Sequence, residues 1–253
     1  MKKLLEFKNV DLCYQTIDDE IKALDNVNFE IMDKEFVAIV GPSGCGKTTI
    51  LSLIAGLFPV SSGEILLDGK NLNQIESNIG YMFQSDQLFK WRTIWKNIMI
   101  GLEIQKKDKD PENIRRMTEL LSKYGLADFK NKHPNELSGG MRQRVALLRT
   151  LALNPKILLL DEPFSALDFQ TRIDVCDDVS SIIEKEEKTA LLVTHDISEA
   201  ISMADKIIVL TKRPATVKKI FDIKLKHYGA PVKRREAPEF AVLFDKILKE
   251  LNS

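Results

Sequence analysis

The run Phe36-Val37-Ala38-Ile39-Val40, followed at once by Gly41-Pro42-Ser43-Gly44-Cys45-Gly46-Lys47-Thr48-Thr49, decides how this chain folds. An unbroken apolar run of this kind suits a strand buried on both faces, as in a parallel sheet. The residues after it fit G-x-x-x-x-G-K-[ST], and the stretch from Thr48 to Leu57 reads as a helix. Such a glycine-rich turn wraps closely around phosphate and presents backbone N–H groups at a helix N-terminus. Lys47 would add a charge on the β- and γ-phosphates, and the Thr48 hydroxyl would ligate Mg2+. The spacing predicts a nucleoside triphosphate site.

Outward from that centre, Leu4–Val10, Val27–Met32 and Glu64–Leu67 read as further strands. Buried-strand signals return at Ile157–Leu160, Ala190–Thr194 and Lys206–Leu210, with helical stretches at Thr171–Lys185 and Ile197–Ala204 between them. Strands alternating with helices predict an α/β fold with a parallel sheet. From Leu88 to Leu153 the pattern is helical instead, with Pro111 as a helix-start residue, which reads as a helical insertion. After Pro238, the apolar residues Phe240, Leu243, Phe244, Ile247, Leu248 and Leu251 recur along one face of a closing helix. Between Lys212 and Arg235 lie 9 basic residues against the single acid Asp222. That run reads as a solvated edge or as a surface for a membrane or an anionic partner.

Composition narrows the class. The 253 residues hold 37 basic and 37 acidic side chains, and a chain with no net charge is not built as a dedicated nucleic-acid binder. A hydrophobic content of 44% supports a real core and rules out disorder. No apolar run reaches the ~18 residues of a membrane span, and Ile50–Val60 breaks at Pro59. The start meets Glu6 and Lys8 before an export signal could form. Cys13, Cys45 and Cys176 have neither metal-ligand spacing nor an even count, which fits a reducing interior.

Two further stretches carry chemistry. Ile157-Leu-Leu-Leu-Asp161-Glu162 is an apolar strand ending in two carboxylates: Asp161 can hold Mg2+ through water, while Glu162, opposite along the pleat, can polarise an attacking water. Leu137-Ser138-Gly139-Gly140-Met141-Arg142-Gln143 opens a helix with Ser138 as N-cap. It is a second anion-friendly helix start, 91 residues beyond Lys47.

Taken in order, Gly41–Thr49, Gln84 after Tyr81-Met82-Phe83, Leu137–Gln143, Asp161-Glu162, Ser165-Ala166-Leu167-Asp168 and His195 resemble the ATP-binding subunit of an ABC transporter over nearly the entire chain. The resemblance implies a P-loop ATPase core with a parallel sheet, an antiparallel β sub-lobe and an inserted helical subdomain. Its expected layout is a core at 1–87 and 156–220, a helical subdomain at 88–155 and an extension at 221–253. It implies that ATP and Mg2+ bind at Gly41, Pro42, Ser43, Gly44, Cys45, Gly46, Lys47, Thr48 and Thr49, with Tyr14 stacked on adenine. Gln84 and Asp161 would join Thr48 at the metal, Glu162 would be the general base, and His195 would contact the γ-phosphate. Ser138, Gly139 and Gly140 would clasp the γ-phosphate of a second copy, to which Asp168 would bridge. Thus a homodimer would sandwich two ATP molecules.

Asp161-Glu-Pro-Phe-Ser-Ala-Leu-Asp168 is similar to the wording of bacterial importers, and Gln87–Asn97 resembles the nitrate, sulfonate and taurine group. In that group a Pro stands where this chain has Lys90. The resemblance implies integral-membrane permease subunits and an extracytoplasmic solute-binding protein as partners, with the chain peripheral at the cytoplasmic face of the membrane. Trp91 and Trp95 read as anchors for the permease or as packing within the helical insertion. The competing class is a non-transport ABC ATPase acting on nucleic acid or the ribosome.

Overall fold

The structure, a computed structural model, describes residues 2–15, 19–72 and 79–252, which include every candidate residue named above. The chain divides into two units, 1–77 with 187–253 and 78–186.

In the first unit, β1 (Lys3–Gln15), β2 (Glu20–Met32), β4 (Ser62–Leu67) and β5 (Lys70–Asn71) form an antiparallel sheet in the order β2-β1-β4-β5. A second set contains β3 (Phe36–Val40), β8 (Thr189–Val193), β9 (Lys206–Leu210) and β10 (Val217–Asp222). Here β3 runs parallel to both β8 and β9, and β10 adds antiparallel to β9. Every residue of β3 and β8 is buried, which is why β3 is apolar throughout and β8 is apolar after Thr189, whose Oγ1 accepts from Lys34 N at 2.8 Å. The unit also holds α1 (Lys47–Ile54), α6 (Ile197–Met203), α7 (Pro231–Arg234) and α8 (Pro238–Asn252).

The second unit pairs β6 (Ile79–Met82) in parallel with β7 (Ile157–Asp161). Its helices are α2 (Ile94–Ile104), α3 (Pro111–Lys123), α4 (Gly139–Leu151) and α5 (Phe169–Lys185). Among the described residues no helix is long and apolar enough to cross a membrane.

Several elements differ from the sequence expectations. Helix α1 stops at Ile54 rather than Leu57, because Gly56 takes φ +71° and the N–H groups of Gly56 and Leu57 bond back to Leu53 and Ser52. That is a Schellman ending, in which glycine reverses the chain without a Cβ penalty. β1 and β2 extend well beyond the expected runs, since Cys13↔Lys22 and Gln15↔Glu20 continue the ladder through polar residues.

The basic stretch contains β10, a strand its composition conceals. Lysines on an edge strand deter pairing with other chains, and Lys219 Nζ bonds Glu250 of α8 at 2.7 Å. Arg234, only 4% exposed, donates Nε to the Gly229 carbonyl. Part of the run is therefore committed to internal partners.

Candidate nucleotide site

In the first unit the loop after β3 leads into α1, whose N-cap is Gly46 at φ 120°. No L side chain adopts that backbone without strain, and a Cβ there would sit 3.1 Å from Leu24 Cδ2. Helix α1 has no side-chain cap and no acid in its first turn, so nothing on the helix offsets the positive end of its dipole. The tip residues Ser43 and Gly44, together with Thr48, are exposed.

Lys47 is buried and its ammonium is aimed by two carbonyls, Gly41 O at 2.9 Å and Pro42 O at 3.0 Å. These bonds use two of its three N–H donors. Cys45 lies beneath the loop at 1% exposure, and burial pushes its thiol pKa up, away from the reactive thiolate.

Tyr14, at the end of β1, shares a 3.1 Å hydrogen bond between its hydroxyl and Thr49 Oγ1. Its ring meets Phe58 edge-on at 6.1 Å. The strand end is thereby tied to the first turn of α1.

His195 is exposed just past β8. The parallel register pairs Ile39 with Val193, so Gly41 and His195 both emerge two positions beyond the pair, at the same end of the sheet. In open α/β sheets ligands bind at the carboxyl ends of the strands. The turn carrying His195 is pinned by Thr194 Oγ1 donating to Glu199 Oε2 at 2.7 Å and by Asp196 capping α6.

In the second unit Asp161 ends β7 and accepts a hydrogen bond from the Tyr81 hydroxyl at 3.0 Å. Burial, and then the neighbouring carboxylate, push the Tyr81 phenol well above its ordinary range, so it remains a donor. Glu162 departs from the sequence expectation. At φ 44° it has left the strand, so strict pleat alternation no longer sets where its side chain points. Its carbonyl is anchored by Ser165, through N at 3.2 Å and Oγ at 3.0 Å.

Gln84 is exposed in the loop after β6. Two arginines of α4 hold that loop: Arg142 Nε meets Asp86 Oδ2 at 2.9 Å, and Arg149 donates to the carbonyls of Gln87 at 2.6 Å and Asp86 at 2.7 Å. Ser138 caps the same helix, its Oγ accepting from Met141 N at 3.3 Å, with Gly139 and Gly140 forming the first turn. The Gln84 loop and the Ser138–Gly140 helix start are thus joined through α4. Asp168 caps α5; hydrogen bonds from the Thr171 side chain and then its backbone hold the carboxyl below the usual range.

Tyr81, Arg142, Arg149 and Asn97 were not singled out from the sequence. Asn97 is 0% exposed, and its Nδ2 donates to the carbonyls of Phe89, Arg92 and Thr93 while its Oδ1 accepts from Phe89 N. A polar residue on an apolar helix face, flanked by Ile94, Ile98 and Met99, was the available signal. Trp91 does not pack in a core: it is 76% exposed beside Phe89, with ring centroids 5.1 Å apart. Trp95 is half-buried under the Lys130 ammonium at 4.0 Å.

Residues 24–165 match the ABC transporter family model. The chain is 47% identical, over 98% of its length and 96% of the relative's, to the ABC transporter ATP-binding protein YtlC of Bacillus subtilis. It is 40% identical to the taurine import ATP-binding protein TauB of Rhizobium johnstonii, covering 92% of this chain and 90% of the relative. Among solved structures, the ATP-binding cassette MJ0796, dimeric in a post-hydrolysis state with ADP and Pi, superposes with a TM-score of 0.72 at 34% identity. The match covers 87% of this chain and 99% of that one. The chain belongs to the ABC transporter family, as one of its ATP-binding ATPase subunits.

Proposed function

We propose that this ATPase powers a bacterial importer from the cytoplasmic face of the membrane, working as a homodimer on permease subunits supplied with solute by an extracytoplasmic binding protein. The observation that carries the reading is the loop 41–49, where an uncapped helix start and a carbonyl-aimed Lys47 ammonium converge on one end of the sheet. Within the nitrate-, sulfonate- or taurine-like class expected from the sequence, likeness to TauB supports taurine or a related small molecule as cargo. The dimeric MJ0796 cassette supports self-association.

In this reading the backbone of Gly41, Pro42, Ser43, Gly44, Cys45 and Gly46 wraps the phosphates, with Lys47 and Thr49 as side-chain contacts and Tyr14 against the adenine. Thr48, Gln84 and Asp161 offer a hydroxyl, an amide oxygen and a carboxylate, a hard-oxygen donor set suited to Mg2+. When bound, Mg2+ would neutralise charge on the β- and γ-oxygens. Glu162 accepts the proton of the attacking water and His195 holds the γ-phosphate. Ser138, Gly139 and Gly140 receive the γ-phosphate of the partner copy, where the dipole of α4 supplies positive potential, and Asp168 bridges the two copies. The segment 88–155 acts as the helical subdomain between the core segments 1–87 and 156–220, with 221–253 as an extension. The exposed Trp91–Phe89 pair serves as permease contact, as aromatic anchors do at interfaces. The relatives do not favour action on nucleic acid or the ribosome.

The test is Glu162→Gln, which keeps shape and removes the base. Turnover is expected to fall at least about a hundredfold, while ATP drives the variant into a stable dimer on a sizing column with light scattering. Near-normal turnover would overturn the role of Glu162, and a variant that stays monomeric with ATP would overturn the sandwich.

A further inference from the structure

The register of the second unit brings one more side chain to Asp161, the carboxylate assigned to Mg2+ in the proposed function. β6 and β7 run parallel, with Tyr81 opposite Leu159 and Met82 opposite Leu160. Side chains alternate along a strand, so Asp161, two residues beyond Leu159, shares a face with Tyr81 and lies on its diagonal. That diagonal is within reach of a tyrosine, and the hydroxyl donates to Asp161 Oδ2 at 3.0 Å. Phe83, two residues further along the chain, packs on the Tyr81 ring at 4.6 Å and limits its rotation. The neighbour Gly80 keeps β6 close to α4, since a Cβ there would come within 2.5 Å of Thr150 Cγ2. The ring is therefore placed by backbone register, and its hydroxyl is directed at a strand-end carboxylate rather than at a backbone carbonyl.

We propose that Tyr81 is a positioning residue for the divalent cation of the ATP site: its hydroxyl sets the rotation of the Asp161 carboxylate. Rotation of an aspartate carboxylate about its last bond is otherwise broad, and a donor on one oxygen narrows it before the metal arrives. Partners that orient a metal ligand change metal affinity by about 10- to 100-fold when removed. The inference rests on the assignment of Asp161 to the metal made above.

Tyr81→Phe removes the hydroxyl and keeps the ring. The experiment compares the full-length wild type and variant, each with a non-hydrolysable ATP analogue. Bound Mn2+ is read by electron paramagnetic resonance, and affinity for a fluorescent ATP analogue in EDTA is read separately. The expected result is an Mn2+ dissociation constant raised about tenfold, with metal-free nucleotide affinity within about twofold of wild type. An unchanged Mn2+ constant would overturn the role of Tyr81. An equal loss of nucleotide affinity in EDTA would show a general packing defect and overturn it too. A wild type that binds Mn2+ no better with nucleotide than without would instead refute the metal assignment on which the inference stands.

Discussion

Asn97 offers the sharpest structural test, because one buried amide shapes the loop that presents Trp91. In Asn97→Ala, Phe89 N–H loses its acceptor at 2.7 Å, and the carbonyls of Phe89, Arg92 and Thr93 lose a donor at 3.0–3.1 Å. A donor left unsatisfied away from water costs about 1–3 kcal/mol, and the void where the amide stood adds roughly 1 kcal/mol. The sum is about 2–4 kcal/mol. At about 2–4 °C per kcal/mol for a chain of this size, the melting midpoint should fall by about 4–16 °C. Differential scanning calorimetry measures the fall. Hydrogen exchange of the amides of residues 88–93 shows whether the loop is where stability is lost. With the permease contact assigned to Trp91, the variant should keep the subunit's basal ATPase within about twofold while losing its stimulation by permease. A midpoint within 2 °C of wild type, with the loop amides still protected, would refute the reasoning.

Two further predictions follow from the first unit. Lys47→Ala removes a charge-assisted contact of about 1.5–3 kcal/mol, so affinity for a fluorescent ATP analogue should drop at least about tenfold; unchanged affinity would remove Lys47 from the phosphate site. Asp11 has a folded-state pKa of about 2, lowered first by the Ser62 hydroxyl, then by the Asn26 backbone N–H and Lys22. A depressed acid stabilises the fold above its unfolded value near 4 and loses that contribution as pH falls toward 2. Urea unfolding should therefore show the stability gap between wild type and Asp11→Asn shrinking from pH 5 to pH 2. A gap independent of pH would contradict this.

What could be read from the sequence followed from where burial leaves a one-dimensional mark. Phe36–Val40 and Lys206–Leu210 are strands with the expected bounds, because residues buried on both sides must be apolar whatever lies beside them. The loop at 41–49 was equally legible, since φ 120° at Gly46 demands glycine. β6 and β10 were not. Gly80 interrupts the first for a reason set by Thr150, 70 residues away, and the second is disguised by the lysines that protect an edge.

At the candidate site, motif residues could be named, but the groups that hold them could not. Tyr81 reaches Asp161 only through strand register, and Arg142 and Arg149 reach the Gln84 loop only once α4 has packed. Such partners depend on distances that no spacing along the chain encodes. The left-handed backbone at Glu162 was hidden for a related reason: Pro163 marks the end of the strand but favours extended backbone in the residue before it, and the Ser165 bonds that hold the turn become visible only in three dimensions.

The central claim is that ATP hydrolysis here drives transport. Its most direct test is purification of tagged Glu162→Gln protein with ATP from native membranes, with the co-purifying chains identified by mass spectrometry and scored against the same preparation without nucleotide. The account predicts a multi-span permease retained in proportion to this chain, and enriched by ATP. Recovery of ribosomal or DNA-bound partners, with no membrane protein above the nucleotide-free level, would contradict it.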